Sequence, residues 1–228
     1  MKERSYRDGI EAVILSFIGG MLDIYCLDHF GIYATMHTGN TIRFAANLAE
    51  GNFSQLAEPG LIMLFFALGL YLANVYEKRN GNIAGRKLLL VNALLFLIAI
   101  FIPVDNDPNH FTFADLSSAS VFGIIGAFLI HSFIRFSTYT YSATMMTANI
   151  NRLVSIIFRR IDEKNGKYNY AIILYVLIII SFMVGVAFCH YYLIKVRGIN
   201  SIVRNSILLL PSLLMVFLSY TRAGKKKS

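Results

Sequence analysis

Charged residues are scarce in this sequence, and tryptophan is absent from it. Only 15% of the 228 residues are charged, whereas 56% are hydrophobic and the mean hydropathy is +0.58. A water-soluble domain of this length cannot hide so much apolar surface in one core. The composition therefore excludes an ordinary soluble protein and predicts a membrane protein. Without tryptophan, the 13 tyrosines must supply any aromatic belt at the membrane surfaces.

Cysteine is rare, and the familiar catalytic motifs are missing. Cys26 and Cys189 both lie inside apolar runs, with no CxxC pair and no histidine at metal-ligand spacing around them. There is no GxSxG, no HExxH, no nucleotide-binding motif and no pair of aspartates at a recognisable catalytic spacing. We therefore expect no catalytic residues, no metal, no cofactor and no enzymatic activity.

The net charge of +8 would indicate nucleic acid as a partner if the protein were soluble. Here most lysines and arginines fall in short segments between apolar runs, where basic residues set the orientation of a chain in the membrane. The expected partners are therefore the lipid bilayer and a small molecule or ion, and not nucleic acid. A homo-oligomer is compatible with this composition.

Six apolar runs approach the length that a helix needs to cross a hydrocarbon core of about 30 Å. Basic residues precede the first run, as in a signal peptide, but Asp23 interrupts this run and no small-x-small cleavage site closes it. We therefore expect it to be retained. The sequence predicts an all-α polytopic protein that forms a single membrane domain over residues 1–228. The predicted spans are Ile10–Phe30, Pro59–Tyr76, Leu88–Val104, Leu116–Phe136, Tyr168–Tyr192 and Ser201–Tyr220.

A polar string occurs twice in this apolar sequence, at an offset of 109 residues. Residues 34–43 read ATMHTGNTIR and residues 143–152 read ATMMTANINR, and six of the ten positions are identical. The same offset carries each of the first three runs onto a later run. The chain therefore reads as two copies of one unit, over about 8–108 and 115–222, each with the order span, polar string, span, span.

The positions of lysine and arginine distinguish two arrangements of these copies. If each polar string crosses the membrane, the chain has eight full spans in two parallel repeats, with 11 loop and tail Lys/Arg inside and 7 outside. If each string is re-entrant, each unit has three spans, and the counts become 15 inside and 3 outside. The positive-inside rule favours two inverted repeats with both termini in the cytoplasm, and the eight-span arrangement is the alternative.

Each re-entrant string is expected to enter the membrane as an extended segment and to return as a half-helix. Gly39 suits the break because glycine allows backbone conformations that other residues avoid. Thr38 or Asn40 can cap a helix that begins at this point. The two half-helices are predicted over about 41–48 and 150–158.

The stretch GGMLDIYCLDHFGIYATMHTGN resembles the signature of the YoaK-type bacterial membrane proteins, a family of unassigned function. In that family a glycine-rich first span carries an aspartate and precedes a T-G-N string, and a second string occurs near the middle. The resemblance covers nearly the whole chain and implies an address in the bacterial inner membrane. The chain departs from the family at Ala148, where glycine is more frequent, and at His131 and Ser132, where Gln-Asn is usual. The matching family positions are Gly20, Asp23, Thr38, Gly39, Asn40, Thr147 and Asn149.

Inverted repeats bring their broken segments together near the midplane, where many secondary transporters bind their substrates. We therefore expect a membrane transporter or channel for a small solute, with its site at the repeat interface. Arg43 and Arg152 stand one turn inside the two half-helices, so we expect an anion as the solute. The expected substrate-binding residues are Thr38, Gly39, Asn40, Arg43, Thr147, Asn149 and Arg152.

Asp23 is a carboxylate deep in the first predicted span and needs a compensating partner. It is either a group that couples transport to protons or cations, or a structural partner of Arg43 or of the broken backbone of its own unit. The alternative function is a non-transporting membrane scaffold or interaction protein, whose polar strings only lock helices together.

Overall fold

The computed structural model is almost entirely helical. It describes residues 2–81, 84–103, 113–132, 135–136, 139–163 and 166–223. Two short strands, β1 (Arg135–Phe136) and β2 (Tyr139–Thr140), pair antiparallel between the fifth and sixth helices. The helices of the described chain are α1 (Lys2–Phe30), α2 (His37–Ala49), α3 (Ala57–Asn80), α4 (Ala84–Ala99), α5 (Phe113–His131), α6 (Met146–Glu163), α7 (Asn169–Lys195), α8 (Ser201–Asn205) and α9 (Leu209–Ala223).

Four helical stretches of the described chain are long and apolar enough to cross a membrane. They are Asp8–Phe30, Phe53–Asn80, Gly166–Lys195 and Ser201–Thr221, and each overlaps one of the six predicted spans. An all-helical membrane architecture is thereby confirmed. The number of spans that cross the bilayer stays a prediction.

The other two predicted spans are shorter as helices than as apolar runs. In the run Leu88–Val104, α4 ends at Ala99, and Val104 lies outside the described residues. Pro103 accounts for the early end, because proline lacks an N–H and disfavours helical geometry in the residue before it. In the run Leu116–Phe136, α5 ends at His131 and β1 follows. The apolar character of the run does not reveal that Arg135 and Phe136 lie in a strand and not in the helix.

The two longest helices, α1 and α7, lie side by side and run in the same direction. Gly9 of α1 lies beside Leu174, and Asp28 near the other end of α1 lies 3.8 Å from His190. Between these points the helices approach closely, because a Cβ on Gly20 would lie 2.2 Å from a backbone oxygen of α7 and a Cβ on Gly185 would lie 2.2 Å from one of α1. Glycine at these positions lets the two backbones touch.

Helices α3 and α5 form a second parallel pair of the same kind. A Cβ on Gly123 would lie 2.9 Å from the carbonyl oxygen of Ile62, and a Cβ on Gly69 would lie 2.7 Å from the Cβ of Ala127. The pair ends with Glu77, whose carboxylate lies 2.8 Å from the ring of His131. Glycine thus permits close helix contact in both pairs.

Contacts between the pairs show that α5 runs opposite to α1. Phe122 packs against Tyr25 and Phe30 at the C-terminal end of α1, with ring centroids 5.3 and 5.7 Å apart, whereas Gly126, one turn further along α5, lies beside Thr35, which binds the earlier residue Asp23 of α1. Helix α9 is also antiparallel to α1, because the Tyr25 hydroxyl donates to Asn205, just before α9, at 2.7 Å, and Thr221 at the far end reaches Glu11. These rings form the centre of the buried core.

Helices α4 and α9 are antiparallel neighbours that close the bundle. Asn205 Nδ2 donates to the carbonyls of Ile100 and Ile102 at 3.1 and 2.9 Å, and Ser212 Oγ donates to the carbonyl of Ala93 at 2.9 Å. The Asn205 amide thus pairs carbonyls left free where α4 ends, which would be costly to leave unpaired inside a membrane.

Candidate site where two broken segments meet

The chain turns back on itself after α1. Gly31 has a φ of +65°, a conformation that glycine adopts without strain, and an extended segment follows it. Asp23, which lies about 10 Å before the end of α1 along the helix axis, accepts two hydrogen bonds from Thr35. The distances are 3.0 Å from the backbone N and 2.6 Å from Oγ1. By Thr35 the chain has therefore returned alongside α1 to the depth of Asp23.

Helix α2 then leads back to the end of α1 from which the segment came. The amide of Asn40 binds both backbone groups of Tyr33, with Oδ1 accepting from N at 2.9 Å and Nδ2 donating to O at 2.6 Å. One turn later, the Arg43 guanidinium lies 2.8 Å from the position that a Cβ on Gly31 would occupy. Residues further along α2 therefore face residues nearer to α1, which is the geometry of a re-entrant segment.

The second unit repeats these contacts at the same spacing. The amide of Asn149 binds both backbone groups of Ser142, at 3.0 Å from N and 2.6 Å to O. Arg152 Nη1 donates to the carbonyl of Thr140 at 3.0 Å. Both asparagines are fully buried. Asn40 and Asn149 thus each clamp the backbone seven residues earlier, and each arginine lies beside the residue twelve positions earlier, where Arg152 also donates a hydrogen bond.

The deepest points of the two segments meet between α1 and α5. We call Ala34–Thr35 the first tip and Ala143–Thr144 the second tip, and all four residues are buried. A Cβ on Gly126 of α5 would lie 2.3 Å from the oxygen of Ala34, and a Cβ on Gly19 of α1 would lie 2.9 Å from the oxygen of Ala143. Gly19 and Asp23 are one turn apart on one face of α1, so the tips lie about 6 Å apart along that helix.

Two details of the predicted break are wrong. Helix α2 begins at His37 and α6 at Met146, about four residues before the predicted starts, so Gly39 lies in the first turn of α2 and not at the break. In the first turn of α2, the carbonyl oxygen of Met36 accepts hydrogen bonds from the N–H groups of Gly39 and Asn40. No side chain caps α2, because the Asn40 amide reaches back to Tyr33 instead.

Gly39 has a packing role that explains the alanine in the second unit. A Cβ on Gly39 would lie 3.0 Å from two ring carbons of Tyr33, so glycine makes room for this ring. At the equivalent of Tyr33 the second unit has Ser142, which has no ring to accommodate. Ala148, at the equivalent of Gly39, therefore fits without a clash. The two differences compensate each other.

The remaining predicted site residues do not gather at one point. Thr38 and Thr147 lie in the first turns of α2 and α6, next to the tips, but their side chains are exposed on the surface of the bundle. Arg43 lies at the C-terminal end of α1. Arg152 binds Thr140, whose carbonyl also accepts from the hydroxyl of Tyr175 near the start of α7.

The depth of the two arginines can be read along α1. Ser16 Oγ donates to Ile178 O, so Tyr175 is level with the first third of α1. Gly31, which Arg43 contacts, follows the last residue of α1. At a rise of 1.5 Å per residue, the arginines are separated by a depth on the order of 20 Å. They lie at opposite ends of the site, and one small anion does not bridge them.

With Asp23 ionised, the charges near the tips sum to about zero. Each half-helix begins next to its tip and contributes roughly half a positive charge at its N-terminus. The Asp23 carboxylate, the form that both hydrogen bonds from Thr35 stabilise, contributes one negative charge. An additional full charge at this depth costs about 2.5–3.5 kcal/mol on insertion scales. The balance at the tips therefore disfavours an ion unless a partner accompanies it.

The sequence prediction omitted the two tip threonines and the two clamped residues. Thr35 and Thr144 are among the six identical positions of the repeated strings, and this identity was the signal that could have identified them. Tyr33 and Ser142 lie one residue outside the strings and differ from each other. The asparagine amides bind only the backbone groups of these two residues, and a backbone contact leaves no trace in residue type.

Comparison with known proteins assigns the chain to a family but gives no activity. No curated protein and no solved structure shows a significant match to the chain. The model of a family described as "Protein of unknown function (DUF1275)" matches residues 12–220. This match is consistent with the resemblance to the YoaK-type proteins, which stays a prediction at that finer level. With nearly its whole length matched and its helices apolar enough to cross a membrane, the chain belongs to the DUF1275 family as a membrane protein of unknown function.

Proposed function

We propose that the protein is a transporter or channel for a small solute, and not an enzyme. The observation that carries this proposal is the meeting of the two tips between α1 and α5. Broken backbone at membrane depth is tolerated where it lines a site, and half-helix ends at the midplane are the means by which secondary transporters hold their substrates. The solute site is the region around Asp23, Thr35 and Thr144.

The proposed membrane arrangement is two inverted repeats of three spans, each with one re-entrant segment. Equivalent helices of the two units run in opposite directions, as α1 and α5 do, and α4 and α9 are antiparallel as well. Both broken segments fold back toward the helix end from which they came. Together with the 15 basic residues against 3, this supports cytoplasmic termini in a bacterial inner membrane.

The hydrogen-bond partner of Asp23 bears on which of the roles predicted for this residue is correct. Its carboxylate binds Thr35 of the broken segment, which supports the structural alternative and names the partner as backbone and threonine, not Arg43. A carboxylate that holds one tip in place is also able to release it, so coupling to a proton or cation stays part of the proposal. The two arginines lie too far apart to act on one ion, so the prediction of an anion loses this support. Anions are tested below as one class of solute.

A scaffold remains the second candidate because the polar strings bind their own backbone. The amides of Asn40 and Asn149 use their donors and acceptors on Tyr33 and Ser142. Such clamps stabilise a fold whether or not a solute passes. Water at the tips distinguishes the candidates, because a pure scaffold leaves this region dry.

Flux through purified protein in liposomes tests the proposal. Proteoliposomes and protein-free liposomes are compared in stopped-flow light scattering for a panel of small anions, cations and uncharged polar solutes. The proposal expects faster entry of at least one class. Entry at the protein-free rate for every class, together with unreactive cysteines at the tip positions Ala34 and Ala143 toward a water-soluble thiol reagent, would leave the scaffold as the better account.

Cysteine labelling in intact cells tests the arrangement in the membrane. In a background with Cys26 and Cys189 changed to serine, cysteines at the exposed positions Asn52 and Ile199 should react with an impermeant reagent from outside. Cysteines at Lys78 and Arg159 should react only after the membrane is opened. Outside labelling at Lys78 contradicts the inverted arrangement and favours eight spans.

A further inference from the structure

The hydroxyl of Thr144 is buried at the second tip without a hydrogen-bond partner among the described residues. The side chain is 1% exposed, and its Oγ1 makes no contact of hydrogen-bond geometry. The backbone N of the same residue has only a long contact of 3.5 Å to Ser142 Oγ. Buried polar groups are nearly always paired, so an unpaired hydroxyl beside the start of α6 indicates a missing acceptor.

The first tip shows what kind of group is missing. Thr35 is the repeat equivalent of Thr144, and both its N and its Oγ1 donate to the carboxylate of Asp23. The second unit has Ser132 at the equivalent of Asp23, and its hydroxyl donates to Phe128 O of its own helix. Helix α5 has already ended at His131. Among the described residues, an acceptor thus serves the hydroxyl of the first tip and none serves that of the second.

We propose that the second tip binds the solute through Thr144, so that a hydrogen-bond acceptor of the solute does there what Asp23 does at the first tip. This inference rests on the proposed transport function and adds the residue and the solute class. Thr144 supplies the hydroxyl donor, its own N–H lies beside it, and the N-terminus of α6 follows directly. A carbonyl oxygen is an acceptor that fits two such donors.

The charge of the solute follows from the position of Asp23. When Asp23 is ionised, its carboxylate repels an anion at Thr144, because Asp23 stands one helical turn, about 6 Å along α1, from Gly19, against which the second tip packs. A simple cation lacks the acceptor that Thr144 requires. The solute is therefore a small uncharged polar molecule with a carbonyl or similar oxygen, such as an amide or a urea.

Acetamide and acetate make a matched test, because they have nearly the same shape and differ in charge. Entry of each into proteoliposomes is measured for the wild type, Thr144→Val, Thr144→Ser and Ser155→Ala. Thr144→Val replaces the hydroxyl by a methyl group, whereas Thr144→Ser keeps the hydroxyl and removes only a methyl. Ser155→Ala removes an exposed hydroxyl of α6 that bonds its own helix.

The expected result is protein-dependent entry of acetamide but not of acetate. Thr144→Val should lower acetamide entry about 5–10-fold, the loss that corresponds to one hydrogen bond, while Thr144→Ser and Ser155→Ala stay near the wild type. Equal losses in the valine and serine variants would assign the effect to packing and overturn the inference. Protein-dependent entry of acetate alone would overturn the solute class and leave the transport function in place. Entry of no solute in the full panel would remove the transport function itself.

Discussion

Replacing Asn40 by leucine removes a clamp that is fully buried. The change leaves the N–H and the carbonyl of Tyr33 without the amide that binds them at 2.9 and 2.6 Å. Each buried backbone group left unpaired costs about 1–3 kcal/mol. Leucine has the same number of side-chain heavy atoms and the same branching as asparagine but a larger volume, so the change creates no cavity. The expected loss is about 2–5 kcal/mol, which corresponds to a decrease in Tm of roughly 5–15 °C for a chain of this length.

The assay is thermal unfolding of the detergent-purified protein, followed by circular dichroism. Asn149→Leu should cause a loss of similar size, because Asn149 binds Ser142 with nearly the same distances. Asn47→Leu is the matched control, since the Asn47 amide makes only one exposed hydrogen bond of 3.3 Å to Gln55, and it should change stability by less than about 0.5 kcal/mol. An Asn40→Leu protein as stable as this control would refute the clamp.

Three further predictions use the same unfolding assay. Gly39→Ala should lower Tm by several degrees because its Cβ would lie 3.0 Å from the ring of Tyr33, and adding Tyr33→Ser should restore much of this loss; no restoration would contradict the compensation between the two units. Asp23→Asn should destabilise the first tip, and Arg43→Gln should not restore it, since the carboxylate binds Thr35; restoration would point to an ion pair instead. Gly126→Ala should be among the most harmful glycine substitutions, because its Cβ would lie 2.3 Å from a backbone oxygen of the first tip; a neutral effect would show that the tip moves freely away from α5.

The helices that cross the bundle could be predicted from the sequence because they correspond to long apolar runs. The run Tyr168–Tyr192 contains no Lys, Arg, Asp or Glu, and all of it except Tyr168 lies in α7. The ends of shorter runs were not accessible in the same way. Phe136 continues the apolar run after His131 but lies in β1. The sequence did not predict this strand, because side-chain hydropathy does not distinguish a strand from one more turn of helix.

The repeated string marks the parts of the chain where the asparagine clamps lie, whereas its role as a solute site stays a prediction. Polar residues inside apolar sequence must have partners, but the sequence did not show which ones. The partners proved to be backbone groups of Tyr33, Ser142 and Thr140, and no residue type announces these. The separation of the arginines was hidden for a related reason. Each half-helix leads away from its tip toward its own end of α1, and this direction is a property of the three-dimensional path.

The two units have equivalent asparagine clamps but different groups at their tips, and this difference bears on function. If the polar strings served only to hold the broken segments, both tips would need the same acceptor for the same threonine. At the first tip the hydroxyl of Thr35 pairs with Asp23, whereas at the second the buried hydroxyl of Thr144 has no partner among the described residues. A scaffold gains nothing from an unpaired buried group, because such a group costs about 1–3 kcal/mol. A protein that binds and releases a solute does gain from it, since the solute recovers this energy when it pairs with Thr144 and loses it again on leaving.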